Sequence, residues 1–185
     1  MTDILRFLQH RNSSPRLVEP APSASEMEGI FQAALRAPDH AWLRPWRFIT
    51  IAGDRRQDFG QVLERCLRQR NPQAEEAALQ KARGAPLRAP LVVVVVARLT
   101  DHAKVPASEQ RLSAGCAAHS LLLAAEACGY AGIWRTGDPA SDPAVMAALG
   151  LEPNEEITGF IYLGTRDGAG KTLPLLDTAD FVSNW

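Results

Sequence analysis

The chain has 185 residues, enough for one domain with a sizeable core and too few for two ordinary ones. Hydrophobic residues make up 46%, and 20 basic against 21 acidic side chains leave a net charge of −1. That balance gives nucleic acid and anionic membrane no electrostatic reason to bind, and no stretch approaches the roughly 18 apolar residues of a membrane span.

The amphipathic start, Met1–Arg11, reads as a first helix rather than a targeting leader. Asp3 is placed to cap it, with Ile4, Leu5, Phe7 and Leu8 turned toward a core. After the loop Glu19-Pro20-Ala21-Pro22, the run Ser23-Ala24-Ser25-Glu26 has the form of a capping box. It opens a helix with Met27, Ile30, Phe31, Ala34 and Leu35 at helical spacing, which Pro38 ends or bends. Arg47–Ala52 alternates as a strand, and Arg55–Gln69 and Pro72–Arg83 are charge-rich helical stretches. Leu91–Ala97, valine almost throughout, suits a strand buried on both faces.

A long helix then runs from about Glu109 to Cys128. Its segment Ala117–Ala125 is apolar on nearly every side, so it belongs inside a core or across a subunit contact. Gly129 stops it, Tyr130–Trp134 follows as a short strand, and Asp142 with Pro143 behind it marks another helix start. Ile157–Gly164 is the last clear strand. The tail Thr165–Trp185 is irregular yet carries Leu173, Leu175, Leu176, Phe181 and Trp185, the pattern of a tail tied down on another surface such as a second subunit. No repeat or linker interrupts the chain, so residues 1–185 read as a single domain, α/β or α+β, with helices covering a sheet.

Most chemical motifs fail. Cys66, Cys116 and Cys128 form no C-x-x-C pair. The last two share a helix and stand roughly 18 Å apart, beyond disulfide reach, so reduced thiols and a cytoplasmic location are expected. Gly168-Ala169-Gly170-Lys171-Thr172 lacks the first glycine of a P-loop, position 165 being Thr, and no G-x-G-x-x-G follows a strand. His10, His40, His102 and His119 have no metal-ligand spacing, and neither Ser113 nor Cys116 has an evident base.

Three separated pieces remain: His10-Arg11-Asn12-Ser13-Ser14-Pro15-Arg16; Arg36-Ala37-Pro38-Asp39-His40 with Arg44-Pro45-Trp46; and Gly132-Ile133-Trp134-Arg135-Thr136. Each joins guanidinium groups to short hydroxyl or amide side chains, the donor set of a phosphate and polyol site. Singly, each has a plainer explanation, such as an arginine favouring a helix C-terminus or stacking on a tryptophan. Together they resemble the compact branch of the FMN-dependent nitroreductase family. Further collinear pieces extend the likeness over essentially the whole chain: Arg16–Pro22, Ala85–Pro90, Lys104–Pro106, Ser113–Cys116 and Gly159–Thr165.

The resemblance implies an α+β sandwich with a central, mostly antiparallel sheet flanked by helices, in an intertwined homodimer whose interface builds two FMN sites. It assigns FMN contacts to Arg11, Asn12 and Ser13 and to Trp134, Arg135 and Thr136, with Arg36 and His40 reaching the same flavin from the partner chain. Ala124, Ala125, Glu126, Ala127, Cys128 and Gly129 fall where this branch contacts the nicotinamide nucleotide. The implied activity is ping-pong: NAD(P)H reduces the flavin at N5, then a nitroaromatic, quinone-like or other small acceptor takes the electrons, with no side chain required as acid or base. Trp42, Trp46 and Trp134 are candidates for walling a flat pocket, and equally for core packing. Two departures bear on the cofactor: Asn12 stands where this branch has arginine, and Arg44 replaces the glutamine often found before Pro-Trp. A flavin carrier or redox sensor with little turnover is the rival reading, and a dimeric protein that has lost the cofactor is a third.

Overall fold

The computed structural model describes residues 2–185; Met1, at the head of the predicted first helix, lies outside the described residues. In chain order the elements are α1 (Asp3–Gln9), β1 (Leu17–Val18), α2 (Ala24–Ala34), β2 (Trp46–Ala52), α3 (Arg55–Arg70), α4 (Glu76–Gly84), β3 (Leu91–Arg98), α5 (Ala107–Ala127), β4 (Ala131–Arg135), α6 (Asp138–Ser141), α7 (Pro143–Ala148) and β5 (Glu155–Arg166). The strands pair antiparallel in the order β2-β3-β5-β4, and β1 adds to the last two residues of β5. Helices cover both faces, which is the α+β architecture expected.

The valine run explains the layering. Val92 to Val96 are wholly buried because β3 pairs on both edges and is covered on both faces. Val92, Val94 and Val96 pack with Phe59 and Leu63 of α3, Val145 of α7, and Phe160 and Tyr162 of β5. Val93 and Val95 pack on the opposite face with Met27 and Ile30 of α2, and Leu121 and Ala125 of α5. The local signals in the sequence hold. Ser23 and Glu26 form the reciprocal capping box of α2, Asp142 accepts from the Ala144 amide at 2.9 Å to start α7, and Gly129 leaves α5 at φ +86°. Among the described residues no helix is long and apolar enough to cross a membrane.

Three expectations are corrected. Thr2, not Asp3, caps α1, its hydroxyl accepting from the Leu5 amide. Ile4, Leu5 and Leu8 do not enter a core; Ile4 is 73% exposed, because α1 stands off the sheet and no element of the protomer covers its apolar stripe. The helix expected from Pro72 begins only at Glu76, since Asn71–Gln73 form a turn in which the Asn71 side chain accepts from the Gln73 amide.

One ion pair fastens β2 to β5 across β3. Arg47 of β2 donates to both carboxylate oxygens of Glu155 on β5 at 2.6 Å, and the Glu155 side chain is only 4% exposed. The Arg47 hydrogen bond holds the Glu155 carboxyl below its ordinary value of 4.5 against the opposing effect of burial. A lowered folded-state value means the pair stabilises fully above the ordinary carboxylate range and loses that contribution as pH falls through the lower value. Glu155→Gln is expected to cost on the order of 2–3 kcal/mol at neutral pH, below a fully buried pair because Arg47 is partly solvated. Urea unfolding from pH 7 to pH 3 should therefore show a shallower loss for the variant than for the parent; parallel curves would contradict this.

Candidate functional site

The Arg11–Ser13 segment is held against the free edge of β4. The Ser14 amide donates to the Gly132 carbonyl at 3.0 Å, and the buried Ser14 hydroxyl donates to the Arg16 carbonyl. Arg11 donates to the Ser13 hydroxyl at 3.2 Å. Asn12 has a use the sequence did not reveal. Its side-chain nitrogen donates to the Lys171 carbonyl at 2.6 Å, while its backbone carbonyl, which any residue would supply, accepts from Arg166 at 3.3 Å. The end of β5 and the first residues of the tail are thereby folded onto the motif. Arg166 was missed because the matching segment stops at Thr165, one residue short. Neither Arg11 nor Arg166 has a carboxylate partner among the described residues. Two guanidinium groups, a hydroxyl and no counter-charge make a site that an anion would satisfy.

Successive β4 side chains face opposite ways. Trp134 points to the α5 layer and lies flat on β5 at Gly159, where a methyl group would run into its indole. Arg135 points to the α3 layer, its guanidinium 5.6 Å from the centre of the Tyr162 ring. Its Nε is buried with no hydrogen-bond partner, which costs about 1–3 kcal/mol unless a ligand or water meets it. Thr136 follows, exposed, at the head of the loop to α6. Gly132 and Thr136 are separated by about 13 Å of extended backbone, so an elongated ligand along this edge would reach both clusters.

Arg36 and His40 are not brought to this place. Both are exposed, and His40 is held by Glu109 of α5 at 2.8 Å. They precede β2, the strand at the opposite edge from β4, three strand spacings or about 14 Å across the sheet. Their loop is strained: Ala41, Trp42 and Arg44 all have positive φ, 63°, 58° and 48°, and the Asp39 carboxylate clamps the Arg44 amide at 2.6 Å. Three such residues in four positions mark a loop shaped for something other than stability. Trp42 is 76% exposed under the Arg44 guanidinium, whereas Trp46 is buried in the core. The three tryptophans thus divide between surface, core and sheet face, and do not wall one pocket within a protomer.

Ala124–Gly129 forms the C-terminal turn of α5. Ala125 is core, while Glu126 is half-buried and Ala127, Cys128 and Gly129 are exposed. The turn is fixed from below, where Tyr130 donates to Glu26 of α2 at 2.9 Å.

A cavity of about 630 Å³ opens beside Arg135. Its lining combines the apolar Phe59, Leu63, Val145 and Phe160 and the ring of Tyr162 with Lys81, Arg88, Arg135 and Thr136. Arg11, Asn12, Ser13, Arg36 and His40 do not line it.

This arrangement has known counterparts. Residues 10–165 match the family model described as the Nitroreductase family. The chain belongs to the nitroreductase family. It is 41% identical over 182 residues to the Escherichia coli (strain K12) protein named "Putative NAD(P)H nitroreductase YdjA", covering 98% of each chain. The fold superimposes on a nitroreductase-like family protein from Bacillus cereus with a TM-score of 0.84 at 19% identity, over 100% of this chain and 97% of that one. A nitroreductase with bound FMN from Bacteroides fragilis gives 0.75 at 19% identity, over all of both chains. The nitroreductase-like sandwich expected from the motifs is therefore the fold of this protein.

Removing the Asn12 anchor tests how the tail is held. In Asn12→Ala, amide exchange at residues 167–171 should accelerate about fivefold to tenfold, the equivalent of one net hydrogen bond, while β3 and β5 stay protected. Unchanged exchange at 167–171 would show that the tail is held otherwise.

Proposed function

We propose that this chain is an FMN-dependent NAD(P)H oxidoreductase that works as a homodimer, each of two flavin sites being lined by both protomers. The observation that carries this reading is the pair of complementary half-sites on one protomer. Unneutralised Arg11 and Arg166 with Ser13 lie at the β4 edge, whereas Arg36 and His40 lie in the segment that leads into β2, at the opposite edge of the sheet. A flavin lying along β4 runs with the strand rather than across the sheet toward β2, so a second chain is the source proposed for the Arg36 and His40 side. The uncovered apolar surface points the same way: Ile4, Leu5 and Leu8 on α1, Leu112 on α5, and Leu175, Leu176, Phe181 and Trp185 in the tail are all exposed.

The residues present fit FMN. Arg11, Ser13 and Arg166 supply charge-assisted donors for a phosphate. Thr136 and the unpartnered Arg135 Nε lie farther along β4, where the far end of an elongated cofactor would fall. Asn12 contributes by holding the tail and, through its backbone carbonyl, Arg166, so a guanidinium stands beside it although the arginine of the family pattern is missing. When bound, FMN would supply two-electron redox chemistry between NAD(P)H and a second small molecule. The protein's part is to bind, orient and exclude water. Arg11, Arg135 and Arg166 hold a positive field that favours negative charge at this edge, and the partner's Arg36 and the partner's His40, the latter in the strained 39–44 loop, would complete the site. At Ala124–Gly129 the offering to a nicotinamide nucleotide is exposed backbone and the Glu126 carboxylate, suited to ribose hydroxyls rather than phosphates at a helix C-terminus. Nitroaromatic and quinone-like molecules are the acceptor class proposed, and the free thiols accord with a cytoplasmic setting.

The purified protein should be yellow, or take up added FMN, and bleach anaerobically with NADH or NADPH. A colourless chain that ignores FMN contradicts the reading. A yellow chain that neither nicotinamide bleaches replaces the reductase with a flavin carrier. Arg166→Ala should weaken FMN binding roughly tenfold to a hundredfold, the range for one charged hydrogen-bond donor, with far-UV circular dichroism unchanged; undiminished affinity removes Arg166 from the site.

A further inference from the structure

We infer that Trp42 and Arg44 select the electron acceptor, favouring a flat aromatic ring that carries a negative charge. The inference rests on the oxidoreductase reading, in which each protomer lends its 39–44 loop to the flavin site of the partner subunit. It adds the class of molecule that this site takes. Arg44 stands where the family pattern has glutamine, so the preference belongs to this chain and not to the fold.

The loop is held at both ends. Ala37 is buried, the Asp39 carboxylate accepts from the Arg44 amide at 2.6 Å, and His40 is joined to Glu109 of α5 at 2.8 Å. Beyond Arg44, the Trp46 amide donates to the Arg44 carbonyl at 2.8 Å, and the Arg98 amide of β3 donates to the Pro45 carbonyl at 3.1 Å. Between these anchors lie Ala41, Trp42 and Arg44, the only non-glycine residues with positive φ among the described residues. L side chains seldom adopt that backbone, and the clamps around it hold it there. The strain turns an indole out into solvent, where a large apolar ring gains nothing by itself.

Both members of the pair are open to a ligand. The Arg44 guanidinium carbon lies 5.7 Å from the centre of the Trp42 ring, near the outer limit of a cation–π contact, so it leaves the indole largely uncovered. The guanidinium has no carboxylate partner among the described residues, because Asp39 is engaged by the Arg44 backbone amide and Glu109 by His40. One ring laid on the indole, with a carboxylate turned to the guanidinium, would use both groups at once. The clamped backbone is ordered beforehand, which lowers the cost of that binding. A neutral ring would gain the stack without the charge, and an aliphatic acid the charge without the stack. A nitrobenzoate has both features. Its reduction balances as nitro compound, NAD(P)H and one proton giving nitroso compound, NAD(P)+ and water.

The experiment compares 4-nitrobenzoate with 4-nitrobenzamide on the FMN-loaded protein, first by calorimetric titration without NAD(P)H, then as acceptors in steady state. The acid should bind about fivefold tighter than the amide, the scale of one charged contact at an exposed site. Arg44→Gln should lower the acid-to-amide ratio about fivefold, in affinity and in kcat/KM alike and chiefly through KM, and Arg44→Lys should restore part of it. Trp42→Ala should weaken both compounds about fivefold, and Trp42→Phe should recover most of the loss. Ratios compared between variants cancel the different reducibility of the two compounds. If NAD(P)H still bleaches the protein but neither Arg44→Gln nor Trp42→Ala alters binding, acceptor selection is overturned and the oxidoreductase reading stands. A protein that takes up no FMN, or that no nicotinamide bleaches, overturns that reading and acceptor selection with it. A Trp42→Ala chain that becomes monomeric also overturns the inference, by showing that the partner subunit and not a ligand covers the indole.

Discussion

The structure rests on one strand that has no solvent-facing side. Five consecutive valines, Val92 to Val96, are wholly buried because β3 is paired on both edges and roofed on both faces. Their alternation assigns α3, α4 and α7 to one layer and α2 and α5 to the other. Once β3 is central, β2 and β4 must be the outer strands, and chemistry falls to what borders them. Arg47 and Glu155 then lock β2 to β5 across the end of β3, so the edges keep a fixed relation although neither touches the other.

β4 is the edge that matters most. It pairs fully only with β5, and a single bond from Ser14 meets its outer side. Around this partly open backbone the protein has placed cations without counter-charges: Arg11 and Arg166 on one side, Arg135 on the other. Guanidinium groups without a carboxylate partner leave positive charge for an anionic ligand to meet. The alternation of β4 separates two such places, with Trp134 toward α5 and Arg135 toward the cavity over Tyr162.

How much of this was readable from residues alone follows from the range of each signal. The valine run, the Ser23–Glu26 box, the Asp142-Pro143 start and Gly129 act within a few positions, and all appear as expected. The periodicity of α1 was equally plain, but periodicity says that a face is apolar, not what covers it, and Ile4, Leu5 and Leu8 face away from the protomer's core. Asn12 looked like a weakened phosphate contact; its partner, the Lys171 carbonyl, is 159 positions away and nothing local announces it. Arg166 and the Arg135–Tyr162 stack likewise depend on strand register, which pattern alone leaves open. The collinear motifs named the family and hence the fold, and the resemblance already gave Arg36 and His40 to a partner chain; their place at the β2 end of the sheet depends on strand order, which the sequence does not carry.

That separation makes the shared, two-chain flavin site the centre of the account, and subunit complementation tests it most directly. Arg11→Ala and His40→Ala chains, carrying different tags, are co-expressed and the mixed species isolated beside each parent variant. Each single-variant dimer has two damaged sites, but a mixed dimer of twofold origin has one site with both lesions and one with neither. The account predicts that the mixed species retains FMN at about half its sites with wild-type affinity, while both single-variant dimers lose it. Mixed species as poor in FMN as their parents, or a purely monomeric protein that binds flavin normally, would contradict it.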